Sequence, residues 1–359
     1  MNPHEHELAY PFGDTLPAPA NRLEVAPGVW WLRMPLPFAL DHINLWLLRD
    51  TFRGRDGWTL IDCGVASDAI RAHWETLFAT GLDGLPIVRV LCTHTHPDHV
   101  GLARMLCDRF GAPLWMTLGE YAMGRILSVA MPGANPNAGY EHYKRHGMVD
   151  GPRLEALSQK VRGHFPSLVP AMPLSFRRIV DGEVVPVGGR DWRVVVGTGH
   201  SPEHAALHCA GDALLISGDM VLPRISTNVS VFDLEPEANA LDWYLSSLSR
   251  FEPCAPDTLV LPSHGRPFRG LHRRIAQLRA HHDERLAVVG AACRERSYTA
   301  ADMVPVLFGR EFDAHQMMFA LGESLAHLHS LWYAGQLERE VGGDGVVRFA
   351  AARRVPEHA

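Results

Sequence analysis

Short apolar runs recur along the chain and alternate with amphipathic segments. Each of these runs has the length of a strand and is rich in Val, Ile, Leu or Trp: Val29–Met34, Ile43–Leu48, Trp58–Ile61, Val88–Cys92, Trp192–Val196, Ala213–Ile216 and Thr258–Leu261. Between them, Ser67–Thr80, Val100–Phe110 and Leu271–Val289 repeat apolar residues at helical spacing, and Gly81 and Gly111 follow as stop signals. Alternating strands and helices predict a layered α/β fold.

Two segments depart from this alternation. Gly119–Arg177 carries many Met, Pro and aromatic residues with helical patches, and we interpret it as a helical insertion that forms a lid. The last part of the chain predicts three short helices and a hairpin: Thr299–Phe308, Ala314–Ala320, Glu323–Ala334, then Gln336–Val341 with Gly345–Ala350. The predicted organisation is an N-terminal arm (1–24), a catalytic domain (25–290, with the insertion at 119–177) and a small terminal domain (297–359).

Composition narrows the class of protein. The 359 residues are 47% hydrophobic and 21% charged, with a formal net charge of -6. This charge argues against a broad nucleic-acid-binding face, and no apolar run approaches the roughly 20 residues of a bilayer span. The N-terminus lacks the basic start and apolar stretch of an export signal. Six dispersed cysteines without a CxxC pair predict reduced thiols, so we expect a cytoplasmic protein without membrane contact.

The strongest chemical signal follows the run Val88–Cys92. His94, His96, Asp98 and His99 stand within six residues, between a predicted strand and a predicted helix. Divalent metals of borderline softness prefer imidazole nitrogen and carboxylate oxygen, and a strand-to-helix loop can turn such side chains inward together. The spacing and its context therefore predict a metal site rather than a polar surface loop.

Three further residues of the same types lie close to other predicted strands. His200 is in Gly199-His200-Ser201-Pro202, Asp219 in Ser217-Gly218-Asp219, and His264 in Pro262-Ser263-His264-Gly265. Each alone is more typical of a core histidine or a turn aspartate. Together with the histidine-rich loop they favour one joint metal site, because loops at one end of a sheet converge.

This set resembles the metallo-β-lactamase superfamily. Its HxHxDH motif is matched by His94, His96, Asp98 and His99, and its later positions by His200, Asp219 and His264. The resemblance covers residues 25 to 290 and implies an αββα sandwich with a dinuclear site like that of glyoxalase II. It implies that His94, His96 and His200 hold the first metal, that Asp98, His99 and His264 hold the second, and that Asp219 bridges them.

The resemblance also implies the chemistry. A hydroxide bridging the two metals is the nucleophile, with Asp98 and Asp219 as the catalytic carboxylates. Asp62, in Leu60-Ile61-Asp62-Cys63-Gly64, fits the family's early strand-end aspartate and would orient the HxHxDH loop or cap the turn at Gly64, two compatible roles. The ligand set suits zinc, manganese and iron, and we expect two divalent ions, with zinc favoured.

The sequence indicates a functional role less strongly for the other polar residues. His42 and Asn44 begin an early strand that lies near the site in similar proteins, and Tyr140 opens a charged stretch of the insertion, so these three are candidate substrate contacts. His204 is expected to be structural or to support a ligand. His281 and His282, on the long helix, are expected to be solvated.

The C-terminal segment resembles the winged-helix module that follows the catalytic domain in one branch of the superfamily, some members of which act on RNA. Its candidate recognition helix, Glu323–Ala334, contains no Lys or Arg. Contact with phosphates needs such cations, so we expect this segment to serve packing or homodimer formation rather than nucleic-acid binding.

The leading hypothesis is hydrolysis of a small ester, thioester or lactone. The alternatives are phosphodiester cleavage, including RNA, by the same fold and a mononuclear iron sulfur-oxygenase, which the full set of second-metal positions disfavours. A flavin-linked diiron reductase is disfavoured because His96 stands where those proteins have Glu. A DNA-binding regulator is disfavoured by the acidic charge. The sequence leaves the substrate open.

Overall fold

The computed structural model describes residues 1–38, 40–129, 137–149, 151–152, 154–155 and 165–353. The chain forms two compact units, each assembled from three segments. The first unit contains Met1–Pro132, Phe165–Thr227 and Ser247–Ile275, and the second contains Gly133–His164, Asn228–Ser246 and Ala276–Ala359. Parts of the predicted insertion, at 130–136 and 156–164 among others, lie outside the described residues.

The first unit contains a seven-stranded sheet. Its strands follow one another in chain order: β1 (Arg22–Ala26), β2 (Val29–Pro35), β3 (His42–Phe52), β4 (Arg55–Ile61), β5 (Ile87–Leu91), β6 (Leu114–Met116) and β7 (Arg177–Arg178). β1 to β4 pair antiparallel and β4 to β7 pair parallel. The parallel pairing of β4 with β5 brings their carboxyl ends to the same edge, where Asp62 and the histidine-rich loop follow.

A second, five-stranded sheet completes the strand layers of this unit. Its order is β12-β11-β10-β9-β8, with β8 (Val184–Val187), β9 (Arg190–Gly197), β10 (His204–Cys209), β11 (Leu214–Gly218) and β12 (Leu259–Pro262). β11 and β12 are parallel and the other pairs are antiparallel. Asp219 and His264 follow the ends of the two parallel strands. The predicted strands are thus observed, with ends that differ by a few residues.

Apolar cores on both faces of the larger sheet explain how the sheets and helices stack in layers. One contains Trp31 and Trp46 of the larger sheet together with Trp192, Leu207 and Ile216 of the smaller sheet, so the sheets pack face to face. The other covers the opposite face of the larger sheet with α1 (Asp68–Thr76) and α3 (Ala103–Phe110).

The ends of these helices agree with the sequence signals. Ser67 Oγ accepts a hydrogen bond from Ile70 N at 3.3 Å and caps α1. The predicted helical segment continues beyond α1 as a π-turn, Leu77–Gly81. Gly111 ends α3 with φ of 62°, a left-handed conformation that favours glycine. The remaining helices of the site region are α2 (Pro97–Val100) and α4 (Leu118–Ser128).

The second unit is mainly helical. It contains α5 (Ala138–Arg145), most of α6 (Ala240–Leu248) and of α7 (Leu271–Glu295), α8 (Ala300–Leu307), α9 (Ala314–Tyr333) and the hairpin of β13 (Leu337–Val341) and β14 (Val347–Ala351). The prediction of two helices within 314–334 was wrong, since α9 is continuous. Gly322 lies inside this helix, and a Cβ there would meet Ser230 Cβ at 2.7 Å, so the glycine serves close packing rather than a helix end.

The prediction that His282 is solvated was also wrong. His282 is fully buried rather than solvated, because its face of α7 turns towards His327 of α9. All six cysteines are buried and free of disulfide bonds. In the described part of the chain, no helix combines the length and the apolar character that crossing a bilayer requires.

Candidate metal centre

The histidine-rich loop connects β5 to α2 and α3. Thr93 N donates to Asp62 Oδ1 at 2.8 Å, which ties the start of the loop to the end of β4. Pro97 stands in the first turn of α2, where its missing N–H costs no hydrogen bond. His94 and His99 have no exposed surface. The loop therefore turns these imidazoles into the unit rather than towards solvent.

The structure gathers the seven predicted ligands into two groups. His94, His96, His200 and Asp219 form one group, and Asp98, His99 and His264 form the other. Within each group, one ligand atom per residue lies within 4.8 Å of every other. Apart from Asp219, which stands with the first group here, each group holds the residues that the family resemblance implied for one metal.

Asp219 lies between the two groups. Its Oδ2 is 3.5 Å from His200 Nε2 and 4.0 Å from His94 Nε2. Its Oδ1 is 3.5 Å from His264 Nε2 and 3.7 Å from His99 Nε2. One carboxylate oxygen thus faces each group, as expected of a bridging ligand.

The atoms in these groups fit a divalent metal. His94 Nε2 lies 2.8 Å from His96 Nδ1 and 3.2 Å from His200 Nε2. A tetrahedral site with bonds of about 2.0–2.1 Å separates its ligand atoms by roughly 3.3 Å. His99 Nε2 and Asp219 Oδ1 are buried and have no hydrogen-bond partner among the described residues. Buried polar atoms without partners are rare, and a coordinated ion would satisfy them.

The electrostatics of the second ligand group and of Asp219 favour charged side chains. Burial alone would raise the pKa of both Asp98 and Asp219. The neighbouring histidines instead hold the pKa of Asp98 at about 2 and that of Asp219 well below its usual range. Burial opposes protonation of His264, yet Asp219 and Asp98 raise its pKa to about 10. Positive charge beside the two carboxylates thus keeps them ionised, and bound divalent ions would supply that charge in place of protonated histidines.

The first group has the opposite character. Burial lowers the pKa of His94 well below its usual value and that of His96 to about 3, and the neighbouring imidazoles add to the effect. Neutral imidazoles are the form that binds a metal.

Asp62 orients the imidazole of His99 through the ring nitrogen that does not face the ligand group. Its side chain is 1% exposed, and its Oδ2 lies 2.8 Å from His99 Nδ1. It also accepts from Thr93 N and from Thr93 Oγ1. His99 Nδ1 thus donates to Asp62, which leaves Nε2 free to face the second group. Asp62 has φ of 62°, a conformation that Asp tolerates better than most residues.

His42 and Asn44 support the loop that carries His264. His264 Nδ1 donates to His42 O at 2.8 Å, and His42 Nε2 accepts from Gly265 N at 2.8 Å. Asn44 Nδ2 donates to Pro262 O and to Gly265 O, and its Oδ1 accepts from Trp31 Nε1. The substrate contacts predicted for His42 and Asn44 stay predictions, as does that of Tyr140, which lies on α5 in the second unit.

Two buried residues bond to the backbone of the ligand-bearing loops, and the sequence gives little indication of this role. His204 is fully buried, and its Nε2 accepts from Asp219 N at 3.0 Å. A Cβ on Gly218 would lie 2.2 Å from that nitrogen, so the Gly-Asp pair is required for the contact. Glu120 is fully buried and accepts from Thr95 N at 2.8 Å. The sequence did not indicate this role, because Glu120 lies in the segment interpreted as a lid, where one Glu in a helical pattern is typical of a solvated face.

Comparison with known proteins agrees with this geometry. The model of the metallo-beta-lactamase superfamily matches residues 39–264, and that of the metallo-beta-lactamase-like C-terminal domain matches residues 286–352. A curated relative, the probable metallo-hydrolase YqjP of Bacillus subtilis, is 24% identical over 316 residues, which cover 84% of this chain and 91% of the relative.

Two solved structures share the fold over most of the chain. The crystal structure of a beta-lactamase domain protein from Burkholderia ambifaria is 60% identical, with a TM-score of 0.91, and the match covers 97% of this chain and 99% of that one. A metallo-beta-lactamase family protein from Thermus thermophilus is 29% identical, with a TM-score of 0.75 and coverage of 91% and 100%. The chain therefore belongs to the metallo-beta-lactamase superfamily of metal-dependent hydrolases.

Proposed function

We propose that this protein is a dinuclear hydrolase of small carbonyl esters, thioesters or lactones, with one divalent metal ion at each ligand group. The observation that carries the proposal is the position of Asp219, which turns one oxygen to each group. Metal ions bound there would lower the pKa of water towards ~7 and polarise the carbonyl oxygen of the substrate.

The protein's own residues orient the ligand imidazoles and move a proton. Asp62 and the carbonyl of His42 accept from the Nδ1 atoms of His99 and His264, which fixes the tautomer in which Nε2 is a ligand. The side chain of Asp98 is 17% exposed and that of Asp219 is 10% exposed. Asp98 is thus the ligand carboxylate with better access to solvent, and we assign to it the relay of a proton, which it would take from the attacking water and pass to the leaving group.

Zinc is the metal we propose for both positions. The two groups contain five imidazoles and two carboxylates and no thiolate, a set that zinc accepts in catalytic sites. Manganese and iron accept the same ligands, so reconstitution with each metal in turn identifies the one that supports turnover.

A carbonyl substrate is favoured over a polyanion by charge. The net charge of -6 opposes binding of nucleic acid, and residues 323–333 of α9 contain no Lys or Arg. We propose that the C-terminal domain is winged-helix-like and serves packing or dimerisation. The test is binding of duplex DNA and structured RNA at physiological salt, where tight salt-sensitive binding lost on deletion of 297–359 would contradict this role.

The decisive experiment joins metal analysis to a substrate panel. Purified protein reconstituted with zinc should contain two ions per chain, and from a panel of lactones, thioesters, esters and phosphodiesters it should hydrolyse one or more of the carbonyl substrates. His264→Ala should reduce the content to one ion per chain. A plateau at one ion in the unaltered protein, or turnover confined to phosphodiesters, would overturn the proposal. Oxygen consumption with thiol substrates would instead identify a sulfur oxygenase.

A further inference from the structure

Helix α4 contacts the metal-binding loops through a buried carboxylate. Glu120 lies in its first turn and is fully buried. Its Oε2 accepts from Thr95 N at 2.8 Å. Its Oε1 accepts from Ser201 Oγ at 2.6 Å and from Glu203 N at 2.8 Å. Glu120 thus receives three hydrogen bonds from two separate loops.

These two loops carry the three imidazoles of the first ligand group. Thr95 stands between His94 and His96, and Ser201 follows His200 directly. The connection is reinforced from the other side, because Glu203 Oε2 accepts from Gly119 N at 2.7 Å and Glu203 O accepts from Thr117 Oγ1 at 2.8 Å. The start of α4 therefore fixes the distance between the His94–His96 pair and His200.

A second feature of α4 points to the same contact. Gly124 lies one turn after Glu120, on the same face of the helix. A Cβ at Gly124 would meet Thr95 Oγ1 at 2.7 Å and Met172 Cε at 2.9 Å. Glycine thus allows the helix backbone to approach the metal loop closely enough for Glu120 to reach Thr95 N.

A fully buried carboxylate is costly unless its hydrogen bonds offset the loss of water. Those bonds here come from Thr95 and Ser201, which are adjacent to ligands, and from Glu203, not from the ligands themselves. We propose that Glu120 is a positioning residue that sets the metal affinity of the first group by holding His200 at a fixed distance from His94 and His96. This inference rests on the proposed metal-dependent function but concerns binding, so it can be tested without substrate.

The test compares Co²⁺ binding by metal-free protein in a His264→Ala background, where only the first group is complete. Glu120→Gln places an NH₂ group against at least one of the three donors, so one hydrogen bond or more is lost. We expect its Co²⁺ affinity to fall about 10–100-fold, the range typical of residues that orient ligands, with altered visible absorption of the bound ion. Gly124→Ala should weaken binding in the same direction by displacing α4.

Asp50→Asn is the matched control. Asp50 is another buried carboxylate of the first unit, and it binds Arg89, Thr59 and Gly188 N. Its substitution should lower the free energy of unfolding of metal-free protein but leave Co²⁺ affinity and spectrum unchanged. In a His200→Ala background, which leaves only the second group complete, Glu120→Gln should not change Co²⁺ affinity.

Several results would overturn the inference. One is a folded Glu120→Gln protein with unchanged first-group affinity, and another is an equal loss at both groups. If Glu120→Gln does not fold, Gly124→Ala decides alone, and unchanged affinity there rejects the role. Failure of the proposed function looks different, because the protein would then bind Co²⁺ at the first group as expected and still hydrolyse no member of the panel.

Discussion

Both units bury clusters of histidine, and the two kinds of cluster differ in where the ring nitrogens point. In the first unit, nitrogens of His94, His96 and His200 converge on one another and on a carboxylate. In the second unit, His327 Nδ1 donates to Glu323 O at 2.7 Å and His329 Nδ1 donates to Ala238 O at 2.9 Å. Within the part of the chain that is described, none of the side-chain groups with metal-binding geometry includes a histidine of the second unit. Histidine content alone therefore does not indicate a metal site.

Buried charge separates the two units as well. In the first, carboxylates raise the pKa of His264 to about 10, and histidines keep the pKa of Asp219 low. In the second, burial lowers the pKa of His327 to about 4 and raises that of Glu323 to about 7. In the first unit the charged forms of His264 and Asp219 are thus stabilised, as a cation site requires, while burial keeps His94 and His96 neutral. In the second unit the charged forms of His327 and Glu323 are disfavoured, as in a structural interior.

The largest expected effect comes from Asp219→Ala. Loss of the carboxylate shared by the two groups should reduce turnover by more than about 100-fold, since outer partners of metal ligands alone contribute 10–100-fold. Activity is measured on the best substrate of the panel, and circular dichroism checks the fold.

The matched control for Asp219→Ala is His329→Gln in the second unit. His329 donates to a backbone carbonyl, so its substitution should lower stability and leave turnover per folded molecule unchanged. Comparable loss of turnover in both variants would remove the distinction between the clusters.

The contrast also shows what the sequence could predict. Ligands that follow strand ends were predictable, because β4 with β5 and β11 with β12 are parallel pairs whose carboxyl ends meet. Glu120 was not, since its partners are backbone and side-chain donors distant in sequence. His282 was assigned to solvent because helical spacing does not tell which face of a long helix meets a neighbour. Two helices were predicted within 314–334 because the apolar pattern does not show that Gly322 lies inside one continuous helix, where it serves close packing.

The second prediction sharpens the contrast in buried charge. Glu323 is buried, and its Oε1 lies 3.6 Å from Arg285 Nη1. Because burial raises its pKa from 4.5 to about 7, the unfolded chain ionises first as pH rises. Stability is therefore lost between about pH 4.5 and pH 7, by up to about 3 kcal/mol.

Glu323→Gln cannot ionise and should escape this loss. Its free energy of unfolding relative to the unaltered protein should rise from pH 5 to pH 8, as measured by denaturant unfolding at both values. The exposed Glu340→Gln should show no such change. Parallel pH profiles for Glu323→Gln and the unaltered protein would mean that Arg285 fully compensates the buried charge.

The smallest effect on catalysis is expected at the thiols nearest the metal centre. Cys63 Sγ and Cys92 Sγ lie 3.7 Å apart, and Cys92 Sγ lies 3.8 Å from His99 O. Burial raises the pKa of Cys63, and the contact with Cys63 together with burial raises that of Cys92, so neither supplies the thiolate that nucleophilic chemistry needs.

Cys63→Ser and Cys92→Ser should each lose about 1–3 kcal/mol of stability by burying a hydroxyl and keep their turnover and metal content. Cys209, which is also buried, lies in β10 away from the ligand groups, and Cys209→Ser should show a similar loss of stability. If either of the first two variants lost turnover while keeping its fold and its metal, a thiol would take part in the reaction, and the chemistry could not be assigned to the histidine and aspartate groups alone.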